Sequence, residues 1–448
     1  MNIILLSGGS GKRLWPLSND VRSKQFIKIF RKPQQTAVPE ETASEYESMV
    51  QRIYRQIKET DASATVTIAT SKSQVSAIHN QLGEDVGISV EPCRRDTFAA
   101  IALATAYLHD VQGVDASEAV VVCPVDPYVE EGYFKTLSAM FNAAQTGEKS
   151  LVLMGIEPTY PSEKYGYIKP RQDSDGKWSW GFTEKPTAEV AAEYIKDGAL
   201  WNGGVFAYKL SYVLNKSIEI LGTADYSELF SNYSNLIKTS FDYAVVEQET
   251  SIEVLRYSGA WKDLGTWNTL TEAMEETVVG DGRMNDKCSN THIINELGIP
   301  ILAMGTKDMV ISASPEGILV SDKEQSSFIK SFVDAIDQQI MFAEKSWGSY
   351  KVLDVEENSM MVKVTLNPGH HMNYHSHEKR DEIWTVIAGS GTTIVDGMEQ
   401  PVKPGDVVTM AAGCKHTVIA GEVGLQLMEL QLGAEINVAD KKKYEWPS

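Results

Sequence analysis

Three groups of residues have the types and spacing to do chemistry. The first is Gly8-Gly9-Ser10-Gly11, followed by Lys12 and Arg13 and then by Arg22 and Lys24. Glycines let backbone N–H groups approach an anion closely, and Arg13 and Lys24 supply full charges where such amides only polarise. That combination suits a polyphosphate, although glycine turns after an opening strand also occur without one. It is not GxxxxGK[ST], since no Ser or Thr follows the basic pair, and GGSGKRL lacks the third glycine of GxGxxG. The second group centres on Asp126, just past the apolar run Val120–Cys123. A carboxylate beyond a strand end can hold Mg²⁺, a hard cation that takes oxygen ligands; the same position also suits a turn or a helix cap. The third is His375-Ser376-His377, with Glu382 and, after a gap, His416. On a strand His375 and His377 point to one face, so both can reach one ion, and Glu382 and His416 would complete a set of three imidazoles and one carboxylate.

Elements must position these groups. Residues 2–7, 64–69, 119–123 and 150–154 read as strands, and 46–57 and 98–108 as helices. The alternation predicts an α/β domain with a mainly parallel sheet, in which ligands sit beyond the carboxyl ends of the strands, where the glycine loop falls. Residues 31–45 are polar without periodicity and are expected to form a mobile loop near the site. From 286 to 320 short apolar pulses (HIIN, IPILAMG, MVISAS, GILVSD) suit short stacked strands, and 325–342 reads as one helix. From residue 346 onward, strand-like runs are punctuated by NPG, GSG, KPGD and AAG, which predicts an antiparallel barrel or jelly roll. Five of the eight histidines lie there. The expected division is 1–275, 276–343 and 344–448.

A chain of 448 residues is too long for one core. Its net charge of −20 argues against nucleic acid or an anionic membrane as partner, so an anionic substrate must be met by a local basic pocket. The four cysteines show no CxxC spacing, the opening MNIILLSGG lacks the basic flank of a signal peptide, and no run of eighteen apolar residues occurs. A cytoplasmic location is expected.

Taken over twenty residues, GGSGKRLWPLS…KQF resembles the sugar-1-phosphate nucleotidyltransferases, the mannose-1-phosphate guanylyltransferases in particular. The resemblance implies a Rossmann-like nucleotidyltransferase domain, a short β-helix after it, and a homodimer. It places nucleotide contacts on Gly8, Gly9, Gly11, Glu91 and Thr97, and catalytic charge on Arg13 and Lys24. Asp126 falls on the family's Mg²⁺-binding aspartate, though Pro127 stands where the family has His, and Asp263 in WKDLGTW falls on the second. FTEKP matches the motif whose Glu184 takes sugar hydroxyls and whose Lys185 holds the sugar phosphate; Gly166 and Asn202 match other sugar contacts. Here Asn202 precedes Gly203 where the family has Ser, and Asp96 replaces an Asn. Guanine presents N1–H and N2–H side by side, a pair that a carboxylate can accept together, so Glu91 facing the base would favour guanine. The implied reaction joins GTP and a manno-configured sugar 1-phosphate.

WGSY, HxH, ArgxGlu and ELQLG in the C-terminal region resemble the cupin domain of type II mannose-6-phosphate isomerases, which bifunctional members of the family carry. That implies a divalent transition metal (Zn, Mn, Fe, Co or Ni) on His375, His377, Glu382 and His416, with Arg380 on the substrate phosphate. Glu378 and Lys379 are two extra residues between His377 and Arg380-Asp381-Glu382. Two other readings stand beside this one: a transferase for another sugar 1-phosphate such as a heptose, and a nucleotide-sugar sensor with a structural barrel.

Overall fold

The computed structural model describes residues 1–9, 11–33, 45–172, 178–437 and 440–446. The chain forms two compact units. The first comprises Met1–Gly9, Lys24–Val75 and Glu84–Glu275, and the second comprises Ser10–Ser23, Ser76–Gly83 and Glu276–Ser448.

The first unit is built on a nine-stranded sheet. Its parallel heart runs Gly87–Glu91, Thr65–Ser71, Asn2–Ser7, Ala119–Pro124, each neighbour in parallel register. These strands read as unbroken apolar runs because both faces are covered; Ile3, Ile4 and Leu5 are fully buried. Leu200–Lys209 then enters antiparallel, pairing with Ala119–Pro124, with Leu151–Ile156 and with Gly166–Gln172. Gly8, Asp126 and Glu91 all sit at or just past the carboxyl ends of strands in this parallel heart. The expected strands are present with ends shifted by one or two residues.

The helix expected over 46–57 starts later, at Met49, and runs to Thr60. Ser48 sets the start with a capping box: its hydroxyl takes the Gln51 N–H, and the Gln51 side chain takes the Ser48 N–H. Tyr46–Glu47 instead pairs with Phe30–Arg31. The loop expected over 31–45 falls mostly on 34–44, outside the described residues. Asp96–Ala106 is a helix buried on all sides, from Phe98 through Ala106.

In the second unit, Val278–Val279, His292–Asn295 and Met309–Ser314 stack in parallel, as do Gly282–Met284 and Ile301–Ala303, around Ile293, Ala303 and Ile311. This is the short β-helix, closed by the antiparallel strand Gly317–Asp322. Residues 16–22 are fastened to it. Ser314 Oγ donates to the Pro16 carbonyl at 2.5 Å, Asn19 Nδ2 to Glu316 Oε1 at 2.7 Å, and Arg22 forks onto Glu296 at 2.7 and 2.8 Å.

The single helix expected over 325–342 is not formed. Gln325–Phe328 and Lys330–Val333 are short turns of helix, and Phe342–Lys345 is a strand. Glu316 is the reason: its Oε1 accepts the N–H groups of Met341 and Phe342, and its carbonyl takes Gln338 Nε2. The C-terminal strands form a second nine-stranded sheet curled around Val364, Trp384, Val386, Val418 and Leu427. GSG, read from the sequence as a break between strands, lies inside one strand, Asp381–Val395, with register shifts on either side of Ala388–Gly389. Gly389 sits at φ +76, and a Cβ there would meet the Gly424 carbonyl at 2.1 Å. All four cysteines are free, and among the described residues no helix is long and apolar enough to cross a membrane.

Candidate active site

The carboxyl ends of the first unit's strands open onto a cavity of about 680 Å³. Of the residues singled out in the sequence, Gly8, Gly9, Glu91, Thr97, Asp126, Gly166, Glu184, Lys185, Asn202 and Asp263 line it. Gly11 and Arg13 belong to the segment 10–23 described with the second unit, in the helical turn Gly11–Leu14, where Arg13 is exposed.

Strand pairing brings the two aspartates together. Trp261–Asp263 runs antiparallel to Pro127–Val129, with Asp263 opposite Pro127, the residue after Asp126. Lys24 Nζ lies 2.7 Å from Asp126 Oδ2 and 3.6 Å from Asp263 Oδ1. Two carboxylates are thus already gathered about one positive charge, and their oxygen donors are the type Mg²⁺ takes; the pair fits that ion.

Glu184 packs over Gly166, where a Cβ would fall 2.5 Å from Glu184 Oε2. Lys185 adopts a left-handed backbone (φ +46), and its ammonium pairs with Glu184 Oε1 at 2.5 Å, which raises the Lys185 pKa. Asn202 donates through Nδ2 to Asp242 Oδ1 at 2.6 Å and accepts the Gly204 N–H at 3.2 Å. Burial, and then the charge of Glu184, push the Asp242 carboxyl up to about 6. Burial also raises Glu91, against the hydrogen bond that Tyr233 donates to its Oε2 at 2.8 Å. Asp96 takes the left-handed φ of +70 and accepts the Thr97 N–H at 2.8 Å, a conformation that Asn and Asp tolerate better than most residues. Thr97 Oγ1 accepts the Phe241 N–H at 2.9 Å, so it braces the segment that carries Asp242. Arg94 donates to the Gly9 carbonyl at 3.1 Å.

The C-terminal barrel holds the second cluster. The ligand atoms of His375, His377, Glu382 and His416 all lie within 4.8 Å of one another, and all four residues are buried. Each imidazole turns Nδ1 to a backbone carbonyl: His375 to Asn373 at 2.6 Å, His377 to Asp440 at 3.1 Å, His416 to Cys414 at 3.0 Å. The Nε2 lone pairs therefore face inward. Burial lowers the His375 pKa to about 2 and that of His377 to about 4, which keeps both rings neutral. Burial opposes the charge on Glu382, yet the Arg380 guanidinium that donates to its Oε1 favours it, and the carboxyl lies below its usual range. Glu382 Oε2 and His416 Nε2 are buried 3.2 Å apart, and neither makes a hydrogen bond. Orphaned polar atoms converging in this way fit a metal.

Arg380 is the residue that the resemblance places on a substrate phosphate. It is 8 % exposed and turned into the cluster, donating to Glu382 Oε1 at 3.0 Å, to His377 Nε2 at 2.9 Å and to the Asn437 carbonyl at 3.0 Å. These bonds tie its guanidinium to the His377 and Glu382 side chains.

Residues 2–279 match the family described as nucleotidyl transferase. The chain belongs to that family. Residues 362–427 match the cupin domain. Along 99 % of its length this nucleotidyl transferase is 27 % identical to a putative mannose-1-phosphate guanylyltransferase of Vibrio cholerae, 99 % of which is covered. It is 26 % identical to a mannose-1-phosphate guanylyltransferase of Escherichia coli, over 98 % of this chain and 97 % of that one. A crystal structure described as a mannose-1-phosphate geranyltransferase from Thermus thermophilus superposes with a TM-score of 0.60 at 26 % identity, covering 74 % of this chain and 98 % of that one.

The transferase cavity also contains residues that sequence reasoning passed over: Asp242, Tyr165, Trp261, Lys164, Lys238 and Arg94. Trp261 opens WKDLGTW, and Tyr165 stands next to Gly166. Asp242 had no such flag, because Ser240-Phe241-Asp242 reads as an ordinary capped helix start.

Proposed function

We propose that this nucleotidyl transferase moves GMP from GTP to mannose 1-phosphate, releasing pyrophosphate, with 1–275 as the transferase domain, 276–343 as connector and 344–448 as a metal-binding cupin. The observation that carries the reading is the single cavity in which Asp126, Asp263, Glu91, Glu184, Lys185 and Asn202 meet. The names of the relatives support guanine and mannose over other pairs.

Glu91 accepts the two adjacent donors of guanine with its carboxylate, steadied by Tyr233. Glu184 and Asn202 take sugar hydroxyls, and Lys185 holds the sugar phosphate against the α-phosphorus. A phosphate oxygen of the sugar forms the new P–O bond as the bond to pyrophosphate breaks; no general base is needed, because the nucleophile is already anionic. Gly8 and Gly9 offer backbone N–H groups, and Lys24 neutralises the charge that builds on the departing pyrophosphate. Asp126 and Asp263 would hold Mg²⁺, which when bound supplies charge neutralisation at the phosphates.

For the barrel, the buried ligand set favours a second reading, mannose-6-phosphate isomerisation. His375, His377, Glu382 and His416 would hold the metal, which when bound polarises a sugar oxygen.

Pyrophosphate release with GTP and Mg²⁺ across mannose, glucose, fucose and heptose 1-phosphates tests the first reading. Turnover confined to mannose 1-phosphate is expected. Turnover with a different sugar would keep the chemistry and replace the substrate; no turnover with any would leave a nucleotide-sugar sensor. Conversion of mannose 6-phosphate by the metal-loaded protein decides between an isomerase and a structural barrel.

A further inference from the structure

The charges around the cavity fall into two sets. Lys164, Lys185 and Lys238 line it, and so do Glu184 and Asp242. A sugar 1-phosphate is divided in the same way, with an anionic end for cations and hydroxyl donors for carboxylates. Glu184 lies near enough to Asp242 for its charge to oppose ionisation there. Two neighbouring carboxylates repel a phosphate and suit a pair of hydroxyls.

Asp242 also decides what its neighbour presents. An ionised carboxylate only accepts and a backbone amide only donates, so Asp242 Oδ1 and the Gly204 N–H admit one orientation of the Asn202 amide. The flipped amide would set acceptor against acceptor and donor against donor. One Nδ2 proton and one Oδ1 lone pair are left over in fixed directions. The Asp242 carboxyl also takes its own backbone N–H, and among the described residues no side chain other than Asn202 donates to it; Thr97 pins the backbone just before it.

We propose that Asp242 is a sugar-specificity residue: one carboxyl oxygen fixes the Asn202 amide, and the other accepts a ring hydroxyl of the sugar 1-phosphate. Glu184, Asn202 and Asp242 then read the hydroxyl pattern as one unit. This rests on the proposal that the cavity takes a sugar 1-phosphate.

Asp242→Asn is nearly isosteric and can still accept from Asn202, but it lacks the charge and no longer forces the amide orientation. Steady-state pyrophosphate release is measured for wild type, Asp242→Asn and Asp242→Ala, with mannose and glucose 1-phosphates and with GTP varied separately. The expected result is a KM for mannose 1-phosphate raised roughly tenfold to a hundredfold in Asp242→Asn, more in Asp242→Ala, with the KM for GTP within about twofold of wild type. The preference for mannose over glucose should shrink in both variants. A residue that only braced the fold would move both KM values together. That outcome, or an Asp242→Asn enzyme with unaltered KM and preference, overturns the inference while leaving the transferase reading intact. A wild-type protein inactive with every sugar phosphate overturns both.

Discussion

A Cβ on Gly166 would stand 2.5 Å from Glu184 Oε2 and 2.6 Å from Phe182 Cζ, closer than unbonded atoms approach. Glu184 is the flexible partner, so a side chain at 166 displaces the carboxylate proposed to hold the sugar. Gly166→Ala is therefore expected to lower kcat/KM for the sugar 1-phosphate by roughly tenfold to a hundredfold while sparing the KM for GTP, read by pyrophosphate release. An unchanged sugar KM would mean that Glu184 is not where the sugar binds. Gly166, Glu184 and Asn202 were legible in the sequence because each sits in a short contiguous motif. Asp242 was not: its partner Asn202 is forty residues away, and its local pattern, Ser240 capping the Tyr243 N–H, is that of any helix start. Arg380 was legible as a residue of the barrel site, but its bonds to Glu382 and His377 were not, since the sequence pattern does not report which way a guanidinium faces.

At the scale of elements, the barrel's ligand set is made by three strands. His375–His377 pairs antiparallel with the strand His416–Leu432, with His375 directly opposite His416, and Glu382 comes from Asp381–Val395 beside them. Backbone carbonyls orient all three rings before any ion arrives, so the site is preorganised. Purified protein is expected to carry about one divalent ion per barrel, and His377→Ala to lose it, as mass spectrometry of metal content would read. Chelation should lower the barrel's stability by about 3 kcal/mol if the ion was at a hundred times its Kd, seen as a lower unfolding midpoint. A chelated protein with an unmoved midpoint would refute the bound metal. The turn signals NPG, KPGD and AAG made this barrel readable, because they punctuate its strand-like runs. The stretch 325–342 has helical periodicity, but Glu316 captures the N–H groups that such a helix would use, and periodicity carries no record of a distant acceptor.

At the scale of the whole molecule, a net charge of −20 repels the anions that the cavity is proposed to take, so capture rests on Lys24, Arg94, Lys164, Lys185 and Lys238 around it. The polar contacts that place residues 10–23 with the second unit span 274 to 323 positions of sequence, from Arg22–Glu296 to Asn19 and the Phe342 carbonyl. No local pattern announces such pairs, and the opening motif reads as one continuous stretch. Arg22 is 8 % exposed, its guanidinium forks onto Glu296, and it also lies 5.0 Å from the Phe342 ring centroid. Glu296→Gln leaves that buried cation without its counter-charge, and unfolding of the second unit in urea should show a loss of roughly 2–4 kcal/mol, since Glu296 is itself partly exposed. Removing both charges with Arg22→Met and Glu296→Leu should recover most of the loss, because an apolar pair of similar volume avoids the cost of burying charge. If the single and double variants unfold alike, the ion pair does not hold the segment, and the bonds from Asn19 to Glu316 and from Ser314 to Pro16 carry it instead.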